Sequence, residues 1–246
     1  MALKANPADQ ALLLDLQELD TRLAQINYRA KSLPQHAALQ SLAAERMTLG
    51  AVLAEQGGAV EDVTTELKRI ESDVSVVEAR IKRDDERLQV TSSVKDVQAL
   101  ELELVALKKR QFDLEEIELV VMEKLEEATT AYDATKVLVD ALDGRVAEAE
   151  AERDAAMVSI DEDRTNAEAN RSAIAEKIPA DLLALYDHQR ARYGLGASLL
   201  RGGVSGASGV KLHESDMVSI RSAALDDVIL CPDSSAILVR TSESGL

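Results

Sequence analysis

The chain has 246 residues, of which 30% are charged, 46% hydrophobic and 2% aromatic, and its formal net charge is −17. So acidic a surface repels phosphate backbones and argues against general nucleic-acid binding. One cysteine, Cys231, excludes an internal disulfide, and no run of 18 apolar residues is present to span a bilayer.

The N-terminus, MALKANPADQ, lacks the basic-then-apolar layout of a signal peptide, so a cytoplasmic protein of bacterial type is the expectation. Length allows one or two domains. The scarcity of aromatic bulk fits long helices packed side by side better than a thick core.

Asn6-Pro7-Ala8-Asp9 reads as a helix start: Asn6 caps, Pro7 suits the first helical position, and Asp9 complements the positive helix end. A heptad track from Leu12 to Leu33 follows, and Pro34 ends it at Ser32 or Leu33. The next track, from Leu39 to Val60, is offset by two residues and diluted by Arg46 and Gln56. Gly57-Gly58 is a soft point there, costing about 1 kcal/mol per glycine relative to alanine.

Val60 to Leu88 is the cleanest stretch. Apolar residues alternate three and four apart among charged flanks, with Asp84 the one polar entry. That 3.5-residue spacing keeps one narrow stripe facing a partner helix over many turns. Val90-Thr-Ser-Ser-Val-Lys-Asp96 interrupts it as a helix–helix turn, with Ser92 or Ser93 as the new cap. A third track runs from Val97 to Ala149 and fades through an acidic stretch.

About 80 residues lie on each side of the turn at about 1.5 Å rise each, which predicts two antiparallel arms about 120 Å long. Pairing between chains in a parallel dimer is the competing arrangement. Matched arms and a short polar turn favour the intramolecular hairpin. The fold class expected is mainly α: a long antiparallel coiled-coil hairpin over 1–176, with its turn near 91–96 and a break near 34.

Residues 177–246 then form a short helix and a small α+β lobe. Leu182, Leu183 and Tyr186 lie on one side of that helix. Strands are expected at 197–200, 210–212, 228–230 and 237–239, with a helical turn or two around Met217 and Ile220. A lobe of about 50 residues commonly requires a staple.

A helical hairpin, then Ile178-Pro-Ala-Asp-Leu-Leu-Ala-Leu-Tyr186, Arg201-Gly-Gly-Val204 and Cys231-Pro-Asp-Ser-Ser-Ala-Ile-Leu-Val-Arg240, resembles the bacterial coiled-coil and C4-type zinc-ribbon family. The resemblance implies two Cys-x-x-Cys knuckles holding one zinc. They would fall on Ser205-Gly-Ala-Ser208 and Cys231-Pro-Asp-Ser234, so three ligand positions, Ser205, Ser208 and Ser234, are serine. Hydroxyls are poor zinc ligands, and Cys231 with the lobe's one imidazole, His213, supplies two donors at most. No cofactor is expected. Without metal, the lobe must rely on Val204, Val210, Leu212, Met217, Ile220, Leu225, Val228, Leu230, Ile237 and Val239, leaning on the 182–186 helix.

Nearby Asp226, Asp227 and Asp233 are expected to raise the Cys231 pKa, marking it as a leftover ligand rather than a nucleophile. No Ser–His–Asp or His–Cys grouping appears at local spacing, and Gly202-Gly203 lacks the context of a phosphate loop. The chain is expected not to be an enzyme.

Two basic patches are candidate partner-binding sites: Lys108, Lys109 and Arg110 near the hairpin tip, and Arg190, Arg192 and Arg201 at its base. Pairing with nearby carboxylates is the plainer alternative. The function expected is a non-enzymatic, chaperone-like adaptor or scaffold that binds another protein. The alternative is a nucleic-acid-binding protein of zinc-ribbon type; the resemblance implies both classes. A homodimer is allowed, and no membrane partner is expected.

Overall fold

In the computed structural model, which describes residues 3–246, the chain packs as two units. One is Gln35–Ala151; the other groups the N-terminal segment through Pro34 with Glu152–Leu246. The composition change at 176/177 therefore marks where α3 ends, while packing joins the first helix to the C-terminal lobe.

The Gln35–Ala151 unit is a helical hairpin. Helix α2 (Pro34–Val90) and the first part of α3 (Val94–Ala175) run antiparallel, joined through residues 91–93. Ser93 opens α3, its carbonyl accepting from Val97 N–H at 3.0 Å. Leu100, Leu104, Leu114, Val121 and Leu142 are buried along one stripe of α3, with Leu42 and Ile70 buried on α2. Ion pairs Arg80–Glu103, Arg46–Asp143 and Arg145–Glu45 hold a single register.

Helix α2 runs unbroken through Gly57-Gly58. The expected soft point has a packing reason: a Cβ built at Gly57 would lie 3.4 Å from the Tyr132 ring. Asp84 is buried in the seam, where Arg87 and Arg80 approach it at 3.4 and 3.9 Å.

In the other unit, α1 (Pro7–Lys31) starts at Asn6, whose Oδ1 accepts from Ala8 N–H at 3.0 Å, and ends with Ser32 as C-cap. Its C-terminal half meets the far part of α3, with Ile26, Ile160 and Ala167 buried together. Helix α4 (Ala180–Tyr193) follows and stops at Gly194, which takes the left-handed conformation at φ 87°.

The lobe contains β1 (Ala197–Arg201), β2 (Val204–Ser205), α5 (Glu214–Ser222), β3 (Ile229–Leu230) and β4 (Ile237–Val239). The sheet order is β2-β1-β4-β3, with β1 and β4 parallel and both outer pairs antiparallel. The segment 210–212, expected as a strand, makes only an isolated bridge from Lys211 to Val204.

Two cores flank the sheet. Leu200, Leu212, Met217, Ile220, Cys231 and Leu238 form one. The other joins Ile237, Val239 and Val228 to Ala5, Leu13 and Leu16 of the N-terminal segment and α1, and to Ile178, Leu182 and Tyr186. Val204, Val210, Leu225 and Leu230, expected in the core, are exposed. Their places are filled by Leu200, Leu238 and α1, which strand register and long-range packing bring in.

The N-terminal segment also extends the β3 side: Val228 N–H donates to Leu3 O at 2.9 Å and Ala5 N–H to Asp226 O at 2.8 Å. The Arg240 guanidinium donates to the carbonyls of Ile220, Ala223, Ala224, Leu225 and Asp227, closing the end of α5 and the loop after it. The staple of this lobe is α1, α4 and Arg240.

Candidate functional site

The four residues that the resemblance would place at zinc-ligand positions separate into a buried pair and two others. Ser205 is fully buried on β2, and Cys231 is buried just after β3. The Cys231 thiol donates to Ser205 Oγ at 3.4 Å, and Ser198 Oγ lies 3.5 Å from Ser205 Oγ. Ser234 Oγ accepts from Ala236 N–H, and Ser208 Oγ from Val210 N–H.

Strand pairing thus gathers hydroxyls around one sulfur. Burial pushes the Cys231 thiol up, but hydrogen bonding to Ser205, Ser234 and the backbone at 234 and 233 outweighs it, and the pKa lies below the ordinary thiol value. The expectation that aspartates would raise it is corrected: hydroxyls and backbone amides, not aspartate carboxylates, are the groups that act on the sulfur. Among the described residues, no three His, Cys, Asp or Glu side chains converge at metal-binding spacing. One thiol among hydroxyls does not fit a structural zinc.

The basic residues at the base are engaged. Arg190 pairs with Asp20 at 2.9 Å, and Arg201 with Glu243 at 3.4 Å. The Arg192 guanidinium lies 5.3 Å from the Tyr193 ring centroid. Lys108, Lys109 and Arg110 are exposed on α3, and no ion pair among the described residues ties them down.

Sequence reasoning missed the polar centre of this unit. Asp20 on α1 is nearly inaccessible, yet it faces Arg171 at 2.7 Å, Arg190 at 2.9 Å and the Tyr186 hydroxyl, which donates at 2.7 Å. Burial and the Asp20 charge hold the Tyr186 phenol far above its ordinary range. Hydrogen bonding to Asp20 raises the Arg171 pKa. Gln17 Oε1 accepts from Gly196 N–H at 2.8 Å beside it. These groups come from α1, α3 and α4, so no local spacing could signal them. Every charge is compensated, which describes a structural clamp rather than acid–base machinery.

The remaining feature is apolar. On the solvent side of α3, Leu102, Val105, Phe112, Leu119 and Met122 are exposed, and Phe112, the chain's one phenylalanine, is 59% accessible. Val137 and Leu138 continue the exposure. Beside this row, an open groove of about 530 Å³ is lined by Leu67, Met122 and Leu125 together with Glu123, Glu126 and Asp133. The heptad reading accounted for the inner stripe and passed over the outer one. Among the described residues, no helix is long and apolar enough to cross a membrane.

The chain is 35% identical over 241 residues to an uncharacterized protein of Mycobacterium tuberculosis, covering 97% of this chain and 98% of that one. An uncharacterized Mycobacterium leprae protein is 28% identical over 226 residues, covering 90% and 96%. A solved Mycobacterium smegmatis structure superposes with a TM-score of 0.87 at 36% identity, covering 97% of this chain and all of that one. CT398 of Chlamydia trachomatis superposes with a TM-score of 0.68 at 16% identity, covering 95% and 98%, a likeness of fold. The model of the CT398-like coiled coil hairpin domain matches residues 16–194, a span that runs from within α1 to the end of α4 and stops before the strands. The chain therefore belongs to the CT398-like coiled-coil hairpin family.

Proposed function

We propose that this protein is a non-enzymatic scaffold or adaptor whose hairpin binds another protein, in a chaperone-like role. The observation that carries the reading is the exposed apolar row on α3, from Leu102 to Leu138. Helix α3 already buries its other stripe against α2, so folding alone does not require these side chains. A line of large exposed apolar side chains recurring along one helix favours a protein contact over a merely solvated face. The compensated charge around Asp20 supports a structural rather than catalytic role for that buried polar cluster.

Affinity capture from the native host tests this, comparing the natural chain with Phe112→Glu. The reading expects a protein partner that survives nuclease treatment and is lost with Phe112→Glu. Capture that disappears with nuclease, together with RNA or DNA binding that weakens steeply with added salt, would replace it by the nucleic-acid alternative.

A further inference from the structure

The apolar row on α3 has a symmetry that names its occupant. Taking Phe112 as centre, Val105 and Leu119 lie seven residues to either side, and Leu102 and Met122 lie ten to either side. All five are exposed. Steps of seven return to the same face of a helix, so Val105, Phe112 and Leu119 form its middle line, with Leu102 and Met122 at its two margins.

The charges between them obey the same centre with the sign inverted. Lys109 and Lys108 stand three and four residues before Phe112; Glu115 and Glu116 stand three and four after it. All four are exposed. Both lysines lack an ion pair among the described residues, while Glu115 accepts a hydrogen bond from the neutral Gln111 at 2.8 Å.

An isologous contact needs a surface complementary to itself: residue i meets residue j, and j meets i. We infer that a second copy of this chain covers this face, its α3 lying antiparallel across the first on a two-fold axis at Phe112. In that register Phe112 meets Phe112 and Val105 meets Leu119, while Leu102 and Met122 lie on opposite edges of the contact. Lys108 faces Glu115 on one edge and Lys109 faces Glu116 on the other, each pair formed twice.

A parallel pairing would instead set Lys108 and Lys109 against themselves and Glu115 and Glu116 against themselves. A nucleic acid has no use for the apolar line and would meet the two glutamates. The seam is about 30 Å long, from about 20 residues at 1.5 Å rise. That is the small end of specific interfaces, so the dimer is concentration-dependent.

This inference rests on the reading of the face as a protein contact, and the two are separable. Sedimentation equilibrium of the purified full chain over roughly 1–100 µM, the range of a weak interface, is the measurement. The natural protein is expected to approach twice the 26.6 kDa chain mass. Phe112→Glu is expected to stay at one chain mass with unchanged helical circular dichroism.

The charge variants fix the register. Lys108→Glu/Lys109→Glu alone and Glu115→Lys/Glu116→Lys alone are each expected to be monomeric, and their equimolar mixture to dimerise again. A natural chain monomeric throughout, a dimer indifferent to Phe112→Glu or to the charge variants, or a mixture that stays monomeric would overturn the inference. Nuclease-resistant capture of a foreign protein by a monomer would leave the adaptor reading standing. A dimer with no foreign partner would do the reverse.

Discussion

Replacing Asp20 by alanine tests whether the buried clamp holds its unit together. The carboxylate is 1% accessible and faces Arg171 at 2.7 Å and Arg190 at 2.9 Å, with the Tyr186 hydroxyl donating to it at 2.7 Å. Removing one member of a buried pair costs about 3–5 kcal/mol, because the partners keep their desolvation without their counter-charge. Here Arg171 retains Asp187 at 3.0 Å, and both guanidinium groups still touch water.

The low end, about 3 kcal/mol, is therefore expected. With a urea slope of about 3 kcal/mol/M for a chain of this size, the midpoint falls by about 1 M. Urea titration followed by circular dichroism measures it, with Arg46→Ala at the exposed pair with Asp143 as control. Tyr186→Phe in the Asp20→Ala background is expected to add less than it does alone, since both act through one hydrogen bond. An Asp20→Ala midpoint no lower than the Arg46→Ala midpoint would refute the argument.

Gly196→Ala is expected to destabilise by about 3 kcal/mol in the same titration, because overpacking against backbone cannot relax easily. Its new Cβ would fall on the Tyr186 ring and 2.8 Å from the Tyr186 carbonyl oxygen. Asp84→Leu is expected to raise the melting temperature by about 2–4 °C per kcal/mol gained, since a leucine fills a seam position now held by a buried carboxylate.

Tyr186, whose folded pKa is raised by burial and by Asp20, stabilises fully below the ordinary phenol value of 10.0 and ceases to do so as pH rises beyond it. Alkaline titration at 295 nm is expected to show one late tyrosine step that coincides with unfolding, absent in Tyr186→Phe. Metal analysis of the natural chain is expected to find no zinc. Ser205→Cys/Ser208→Cys/Ser234→Cys is expected to take up one equivalent.

The helices were legible because their signals are local. Asn6 and Pro7 start α1, Pro34 separates it from α2, and the run 90–96 opens the turn, each through backbone preferences that act within one or two residues. The inner stripe of α3 follows from a spacing that any buried helix face must keep. The lobe was less legible. Strand 210–212 failed because a short β-prone run pairs only where a neighbour offers an edge, and Arg240 and Leu200 entered through register. The Asp20 clamp was invisible, since Asp20 on α1, Arg171 on α3, and Tyr186 and Arg190 on α4 are far apart in sequence.

By itself the amino-acid order determined the long helices and the bend that returns one along the other. Heptad spacing, proline and side-chain chemistry act independently of distant residues. Tertiary structure alone decided what holds the lobe together, by packing α1 and α4 on the sheet, and which charges are compensated. It also decided that Phe112 faces water. Each is a question of which surfaces meet, and surfaces meet only after the chain has closed its long-range contacts.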